Sequence, residues 1–310
     1  FFLFKPLPAD LTGSDLRVVR SSGLDGCKAL IGSSSAFYPP FFVQAAYHLV
    51  LLGRTPHEGL YRVERGDSLA RLLLKMRRGI IAAGAFRIPE GAPLWDVNAR
   101  ILASEDFLHD TASLSAEDLT GRFAQNNYLK GVTLKSMEGL FAPDTYFYTV
   151  GKSEMKLLEK AFAQQKRILL SEWDARDSAV NRVLHTPYDA LILASIIEKE
   201  SGLKADRSLI SSVFVNRMRI GMPLQTDPTV IYGIGPEFNG NLTRADLRRD
   251  TPYNTYRRRG LPPTPISAPS RESIHAALHP ADTRYLYFVS RGDGTTQFSE
   301  SLATHNQAVN

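Results

Sequence analysis

The stretch Leu193-Ala-Ser-Ile-Ile-Glu-Lys-Glu-Ser-Gly202 places two carboxylates and a glycine at the end of an apolar segment. On a helix that turns about 100° per residue, Glu200 falls on the apolar face and Glu198 on the other side, near Ala194. The residues that form this face are Ile192, Leu193, Ile196 and Ile197. Gly202 is a suitable residue to end the helix, which would leave Glu200 in its last turn.

The position of Glu200 predicts a carboxyl group with an unusual pKa. Apolar surroundings and the negative end of the helix dipole both disfavour the ionised form, so both raise the pKa. A carboxyl group that stays protonated near neutral pH is what a general acid needs for cleaving a glycosidic bond. The alternative is a solvated Glu-Lys-Glu turn, which is the more common situation at the end of an arbitrary helix.

The composition describes an ordinary globular protein. The chain has 310 residues, of which 43% are hydrophobic and 22% charged, and this length suits one large domain or two smaller ones. A net charge of +5 favours a polyanionic partner, but the basic residues are dispersed without a nucleic-acid-binding fingerprint, so we predict no nucleic acid partner. The single cysteine, Cys27, excludes an intramolecular disulfide and a cysteine-rich zinc site. No apolar run is long enough to span a membrane.

The pattern changes near residue 87, which predicts an N-terminal region of residues 1–86 followed by a domain of residues 87–310. The first region contains Tyr61-Arg-Val-Glu-Arg-Gly-Asp-Ser-Leu69, which alternates like a strand and then turns at Gly66. Asp67 or Ser68 is placed to cap a helix that starts at Leu69. This strand–turn–helix resembles the opening of a LysM module, a small glycan-binding fold, although a simple turn without a binding role is the alternative.

The second region mixes helical and extended patterns without a regular βαβ alternation, so we predict an α+β fold. Helices are predicted for Leu94–Leu102, from Ser153 to Asp174, from Asp206 to Gly221, and from Ser270 to His279. A strand is predicted for Tyr285–Val289. We interpret Met222–Gly233 as a polar loop that forms a cleft wall.

Several ordered segments together resemble the YceG-like family of endolytic murein transglycosylases, from about Leu60 to Asn310. The resemblance rests on Ala194–Glu200, Val213–Met222, Leu224–Gly233, Tyr253–Tyr256 with Gly260–Pro263, and His279–Pro280 with Tyr285–Phe288. It implies a mixed α+β catalytic domain with an open glycan-binding cleft, preceded by the small LysM-like module.

The resemblance also implies a reaction. The family cleaves the β-1,4 bond between N-acetylmuramic acid and N-acetylglucosamine inside a glycan strand, as a lyase that needs no cofactor. The carboxyl group that matches Glu200 protonates the leaving oxygen and then removes a proton from the C6 hydroxyl, which gives a 1,6-anhydro end. The pair Glu200-Ser201 resembles the Glu-Ser pair of other lytic transglycosylases, which favours Glu200 over Glu198 as the catalytic residue.

The same resemblance implies the surroundings in which the protein works. Family members are held in the inner membrane by one N-terminal helix and act in the periplasm on peptidoglycan strands. Peptidoglycan synthases are further candidate partners. We expect Phe1-Phe-Leu-Phe4 to be the remainder of such an anchor.

Six residues are candidates for substrate binding because their side chains can hydrogen-bond to sugar hydroxyls and N-acetyl groups or stack on a sugar ring. They are Glu198, Ser201, Gln225, Thr226, Asn254 and Tyr256. The alternative is that these polar side chains satisfy their own backbone. Asp227 precedes a proline, and we favour a turn over a second catalytic acid.

Metal binding is not predicted. His275 and His279 are four residues apart on a predicted helix, but a third ligand at a recognised spacing is missing. Two other functions remain open from the sequence. One is a hydrolase on the same glycan that uses Glu200, Asp227 or another carboxylate, and water, and the other is a non-catalytic wall-binding or scaffold protein.

Overall fold

A computed structural model of the chain describes residues 2–19, 23–34, 38–111, 116–124, 129, 131–200, 203–292 and 295–309. The chain forms two compact units. The first contains Phe1–Phe86, Ser104–Leu108 and Phe147–Ser153, and the second contains Arg87–Ala103, His109–Tyr146 and Glu154–Asn310. The division of the sequence into a LysM-like module of residues 1–86 and a catalytic domain of residues 87–310 stays a prediction.

Among the described residues, a pair of strands and three α-helices lie entirely within the first unit. They are β1 (Asp15–Val18), α1 (Gly23–Gly32), α2 (Pro40–Leu51), β2 (Gly59–Arg62) and α3 (Leu69–Arg78). The two strands are antiparallel and place Leu16 opposite Tyr61. These two residues are buried in a core that also contains apolar side chains of all three helices.

The predicted strand–turn–helix is confirmed in its local geometry. Gly66 has a φ of 85°, which favours glycine, and the Ser68 hydroxyl caps α3 by accepting a hydrogen bond from the Arg71 N–H. Asp67 does not cap the helix, because its buried carboxylate pairs with Lys75 at 2.6 Å. The likeness to a LysM module remains a prediction.

A second two-stranded sheet consists of β3 (Ala83–Ile88) and β4 (Asp144–Thr149). The remaining elements belong to the second unit and are mostly helical. They are α4 (Leu94–Leu102), α5 (Ala116–Ala124), α6 (Met155–Asp174), α7 (Pro187–Glu200), α8 (Arg207–Arg219), α9 (Asp227–Ile234), α10 (Arg244–Arg248), α11 (Arg271–Leu278), β5 (Tyr287–Ser290), β6 (Thr296–Ser299) and α12 (Leu302–Val309). The predicted α+β class is confirmed. Within the described ranges, no helix combines the length and apolarity required to cross a lipid bilayer.

Helix α7 is the centre of the second unit and packs against α6, α8, α9 and α11. The predicted apolar face is buried, and so are Leu191, Ala194 and Ser195 on other sides of the helix. A helix that is buried all round needs neighbours on every side, which explains why four helices surround it. Glu200 is the last described residue of α7, and Ser201 and Gly202, where the sequence predicts the end of the helix, lie outside the described residues.

The interpretation of Met222–Gly233 as a loop is wrong in its second half. Helix α9 begins at Asp227, and Pro228 occupies its first turn, where the fixed φ of proline suits a helix and its missing N–H is not needed. Asp227 is therefore the first residue of a helix and not part of a turn.

Ser195 connects α7 to the extended segment that precedes α11. Its hydroxyl donates to the Ile192 carbonyl at 2.7 Å and accepts from the Ile266 N–H at 3.0 Å. The Ser195 carbonyl also accepts from the Ser267 hydroxyl at 3.2 Å. These contacts satisfy polar groups of a segment that crosses the core without forming a helix or strand.

We expect Ser195→Ala to lower the free energy of unfolding by about 1–3 kcal/mol, because the buried Ile266 N–H loses its acceptor. Urea denaturation measures the difference. The matched control is Ser171→Ala at an exposed position of α6, for which we expect a change within about 0.5 kcal/mol. Equal effects of the two substitutions would show that Ser195 contributes little.

Candidate active site

Glu200 lines a cavity of about 330 Å³ in the second unit. The residues around this cavity come from α7, α8, α9, β5, α12 and two connecting segments. They are Glu200, Arg217, Leu224, Gln225, Asp227, Tyr256, Tyr287, Phe288, Leu302 and His305. Three of the predicted site residues, Glu200, Gln225 and Tyr256, are thus brought to one place.

The carboxyl group of Glu200 has a raised pKa. Burial is the largest cause, and the negative charge of Asp227 acts in the same direction. A hydrogen bond that the Thr226 hydroxyl donates to Oε1 and the positive charge of Arg217 partly oppose this shift. The net direction favours the protonated acid, as the apolar face predicted.

Thr226 is a buried residue that donates a hydrogen bond to the Glu200 carboxyl group. It is 1% exposed, its N–H donates to the Thr255 hydroxyl at 3.1 Å, and its carbonyl accepts from the Thr229 hydroxyl at 2.7 Å. With its hydroxyl directed at Glu200 and its backbone fixed on both sides, Thr226 is placed to position the carboxyl group.

Asp227 and Tyr256 form a second polar pair at the cavity. The Tyr256 hydroxyl donates to Oδ1 of Asp227 at 2.6 Å. Asn254 holds the segment that carries Tyr256, because its Oδ1 accepts from the Tyr256 N–H at 2.9 Å and its Nδ2 donates to the carbonyls of Leu247 and Arg249 at 3.0 and 2.6 Å.

Asn254 is therefore an internal support. It is 0% exposed, and its amide group is already engaged with backbone atoms. These contacts correspond to the alternative left open by the sequence, in which a polar side chain satisfies the backbone, and they do not favour direct substrate binding by Asn254.

Gln225 is held in an unusual backbone conformation. Its φ is 50°, in the left-handed region that most residues avoid, while its N–H donates to the Thr255 carbonyl at 3.1 Å. The side chain is exposed and lines the cavity. A strained backbone at an exposed polar residue is common at functional sites, where the surrounding structure maintains it.

Glu198 has different surroundings from Glu200. Its Oε1 accepts from Nη2 of Arg207 at 2.9 Å, and its Oε2 accepts from the Ser270 N–H at 2.8 Å and the Ser270 hydroxyl at 2.5 Å. Both side chains of the ion pair are nearly buried, with exposures of 5% for Glu198 and 6% for Arg207. These contacts make Glu198 a structural link between α7, α8 and the start of α11. Ser201, like Gly202, lies outside the described residues.

Arg217 is a functional candidate that the sequence analysis missed. Its guanidinium group donates to the carbonyls of Leu286 and Leu224 at 2.7 and 2.6 Å and lies 5.3 Å from the ring centroid of Tyr287. A signal was present, because Arg217 lies four residues after Val213 and shares the buried face of α8. A charged residue on such a face needs a structural or electrostatic reason.

A second carboxyl group with a raised pKa was also missed. Burial raises the pKa of Glu138 to about 7, against the effect of hydrogen bonds from the Leu94 N–H and the Tyr232 hydroxyl. The distances from Oε2 to these donors are 2.9 and 3.0 Å. Glu138 satisfies the beginning of α4, which is a structural use of a carboxylate at a helix N-terminus.

Known proteins resemble this chain over most of its length. A family model described as the YceG-like family matches residues 29–310. An endolytic murein transglycosylase of Bacillus subtilis is 32% identical over 265 residues, which are 81% of this chain and 71% of that protein. An endolytic murein transglycosylase of Streptococcus pneumoniae is 24% identical over 282 residues, and the matched part is 50% of the pneumococcal protein. A crystal structure of a YceG-like protein from Listeria monocytogenes superimposes with a TM-score of 0.63 at 27% identity and covers 94% of this chain and 97% of that one.

We expect Glu198→Gln to lower the free energy of unfolding by about 3–5 kcal/mol, because Arg207 would keep a buried charge without its anionic partner. Chemical denaturation measures this loss. Glu237→Gln, which removes the same charge at an exposed position, is the matched control and should leave stability nearly unchanged. Wild-type stability in Glu198→Gln would contradict the structural role.

Proposed function

The chain belongs to the YceG-like family, and we propose that it is an endolytic lytic transglycosylase that cleaves the glycan strands of peptidoglycan. The observation that supports this proposal most strongly is Glu200, a carboxyl group with a raised pKa at the end of a buried helix and at the wall of a cavity. The curated relatives named above are endolytic murein transglycosylases. The bond, the product and the catalytic residue are our proposals.

In the proposed reaction, Glu200 is the only group that transfers protons. The protonated carboxyl donates its proton to the glycosidic oxygen as the bond from C1 of N-acetylmuramic acid to that oxygen breaks. The resulting carboxylate then accepts the proton of the C6 hydroxyl of the same sugar while O6 bonds to C1. The products are a 1,6-anhydro end and a free 4-hydroxyl on N-acetylglucosamine, and no water is consumed.

The neighbours of Glu200 suit these two steps. Thr226 donates to Oε1, which leaves Oε2 to carry the transferred proton. Asp227 favours the protonated form that begins the cycle, and Arg217 favours the carboxylate formed in the middle of it. Opposing charges of this kind keep both protonation states accessible, which a group that acts first as acid and then as base requires.

We further propose that Gln225 and Tyr256 contact the sugar, because both side chains line the cavity. Thr226 and Asn254 act through other residues, the first on Glu200 and the second on Tyr256. Ser201 remains a candidate from the sequence.

A hydrolase is the second candidate function, and one observation favours it. Asp227 supplies a second carboxylate at the same cavity, and inverting or retaining hydrolases use two carboxylates. Against this role, Asp227 already accepts a short hydrogen bond from Tyr256. The products distinguish the two functions, since a hydrolase would leave a reducing end.

For the cellular setting, we propose a membrane-anchored enzyme with its catalytic domain in the periplasm, as the family resemblance implies. It would act on peptidoglycan strands, with peptidoglycan synthases as candidate partners.

The proposed LysM-like role of the first unit is best tested by point substitutions. Deleting residues 1–86 would also remove the packing partners of Ser104–Leu108 and Phe147–Ser153, which belong to the same unit.

We expect Glu200→Gln to reduce cleavage of purified sacculi at least about 100-fold, because the amide cannot donate and accept the proton in turn. Mass spectrometry of the soluble muropeptides measures both rate and product, and wild-type protein should release 1,6-anhydro ends. The control is Glu237→Gln, which should cleave like wild type. Reducing ends from the wild type would favour the hydrolase, and substantial activity in Glu200→Gln would exclude Glu200 as the acid.

We expect Asp227→Asn to move the alkaline limb of the pH–activity profile to lower pH. The limb reflects loss of the proton from Glu200 as the pH rises through its raised pKa, and removal of the Asp227 charge lowers that pKa. Initial rates measured across the pH range, again with Glu237→Gln as control, test this direction. An unchanged limb would mean that another group controls it, whereas complete inactivity at every pH would favour Asp227 as a second catalytic carboxylate.

A further inference from the structure

We propose that the exposed side of α2 in the first unit docks onto the surface of an anionic phospholipid bilayer. This α2 face consists of Phe41, Ala45, Leu49 and Leu52, whose spacing of four, four and three residues places them on one side of the helix and its C-cap. Phe41, Leu49 and Leu52 are 75%, 64% and 62% exposed. The proposal goes beyond the reaction proposed for Glu200 and does not depend on it.

The opposite side of α2 belongs to the core of the first unit. Val43, Ala46 and Leu51 are buried there, together with apolar side chains of α1 and α3. A helix that packs one side against a protein core normally carries polar residues on the other side, which faces water. The α2 face carries large apolar residues instead, so the fold of the first unit does not account for them.

Charged residues are absent from this part of the sequence and return at its borders as cations. From Ala29 to Gly53 the chain contains no Asp, Glu, Lys or Arg, and the first charged residues beyond these limits are Lys28 and Arg54. Lys28 also lies beside α2 in space, because its Nζ donates to Oε1 of Gln44 at 3.1 Å. An apolar face bordered by cations is complementary to a bilayer whose headgroups carry negative charge.

The backbone at Leu52 is a second indication that the α2 face has a use. Leu52 is the C-cap of α2 and has a left-handed conformation, with a φ of 52° and a ψ of 43°. Glycine or asparagine usually occupies this position, because other side chains strain the backbone there. A leucine at this position costs stability and exposes an apolar side chain, and contact with an apolar surface would explain why it is tolerated.

The size and length of α2 favour a bilayer surface over the other possible occupants. The exposed parts of these side chains amount to a few hundred Å², whereas a stable protein interface buries about 800 Å² on each partner. A second copy of the chain is therefore a poor match. With 12 residues, α2 is also too short to span a bilayer. We expect it to lie along the surface with phenylalanine and leucine inserted at the boundary of the acyl chains.

The test is co-sedimentation of the full 310-residue chain with sucrose-loaded vesicles. We expect binding to vesicles of equal parts phosphatidylglycerol and phosphatidylcholine, and much weaker binding to phosphatidylcholine alone, because Lys28 and Arg54 attract anionic headgroups. Phe41→Gln and Leu49→Gln should each weaken binding to the anionic vesicles at least about tenfold, since a large apolar side chain no longer enters the bilayer. Arg54→Gln should weaken it about fivefold.

Two further variants separate binding from general changes in the protein. Ile220→Gln removes an apolar side chain of similar exposure, 63%, from the second unit and should bind vesicles like the wild type. Leu52→Asn places a residue that tolerates the left-handed conformation at the C-cap. Its melting temperature should equal or exceed that of the wild type, while its binding to anionic vesicles should fall about tenfold.

Wild-type protein that stays in the supernatant with anionic vesicles would overturn the proposal. Equal vesicle binding by the wild type and by Phe41→Gln, Leu49→Gln and Leu52→Asn would overturn it too, because the contact would then lie elsewhere. Sedimentation equilibrium without vesicles tests the remaining occupant. A wild-type dimer that Phe41→Gln converts to a monomer would assign the α2 face to a second copy of the chain and contradict the proposal.

Discussion

The second unit must accommodate two carboxylates at the end of a helix that is otherwise buried. Transfer of an ionised carboxylate from water into a protein interior costs several kcal/mol unless a cation and hydrogen bonds compensate. Glu198 is compensated in this way by Arg207 and Ser270. Glu200 accepts a hydrogen bond from the Thr226 hydroxyl, and the positive charge of Arg217 acts on it without forming an ion pair. Because this compensation is incomplete, burial raises the pKa of the Glu200 carboxyl group.

Glu198 and Glu200 are surrounded by different parts of the neighbouring elements. Helix α8 supplies Arg207 at its first residue for Glu198, and Arg217 near its last turn for the cavity of Glu200. The connection before α11 is fixed to α7 through Ser195 and through the contact between Ser270 and Glu198. Helix α9 begins beside Glu200 and brings Asp227 to the cavity. Two carboxylates two residues apart thus have separate roles, one in holding helices together and the other in the proposed chemistry.

The parts of the fold that the sequence predicted are those with strong local signals. The apolar face of α7, the capped start of α3 and the extent of α6 all follow from residue periodicity and capping. Helix α9 was missed because Asp227-Pro228 was interpreted as a turn, although proline is also favoured in the first turn of a helix. The short strands β1 and β6 and the helices α2 and α12 were not predicted, because their patterns are brief or uniformly apolar.

In the candidate site, too, the features that could be predicted are those with local signals in the sequence. Glu200 could be identified because its own neighbours in the sequence determine its environment. The pairing of Tyr256 with Asp227 depends on a contact between residues 29 positions apart. The engagement of Asn254 with the carbonyls of Leu247 and Arg249 depends on how the chain folds back between these residues. By residue type, Asn254 and Tyr256 were equally good candidates for substrate binding. The tertiary structure distinguishes them, because Tyr256 lines the cavity and Asn254 supports the backbone that carries Tyr256.

The most direct test of the account is the pKa of Glu200 itself. We would label the glutamate side-chain carboxyls with ¹³C and follow their chemical shifts by NMR across the pH range, with Glu200→Gln and Glu138→Gln to assign the two groups whose pKa is raised. The account predicts a resonance, absent from Glu200→Gln, that titrates clearly above the range of exposed glutamates. A Glu200 resonance that titrates with the exposed glutamates would contradict the central claim that burial raises the pKa of this carboxyl group.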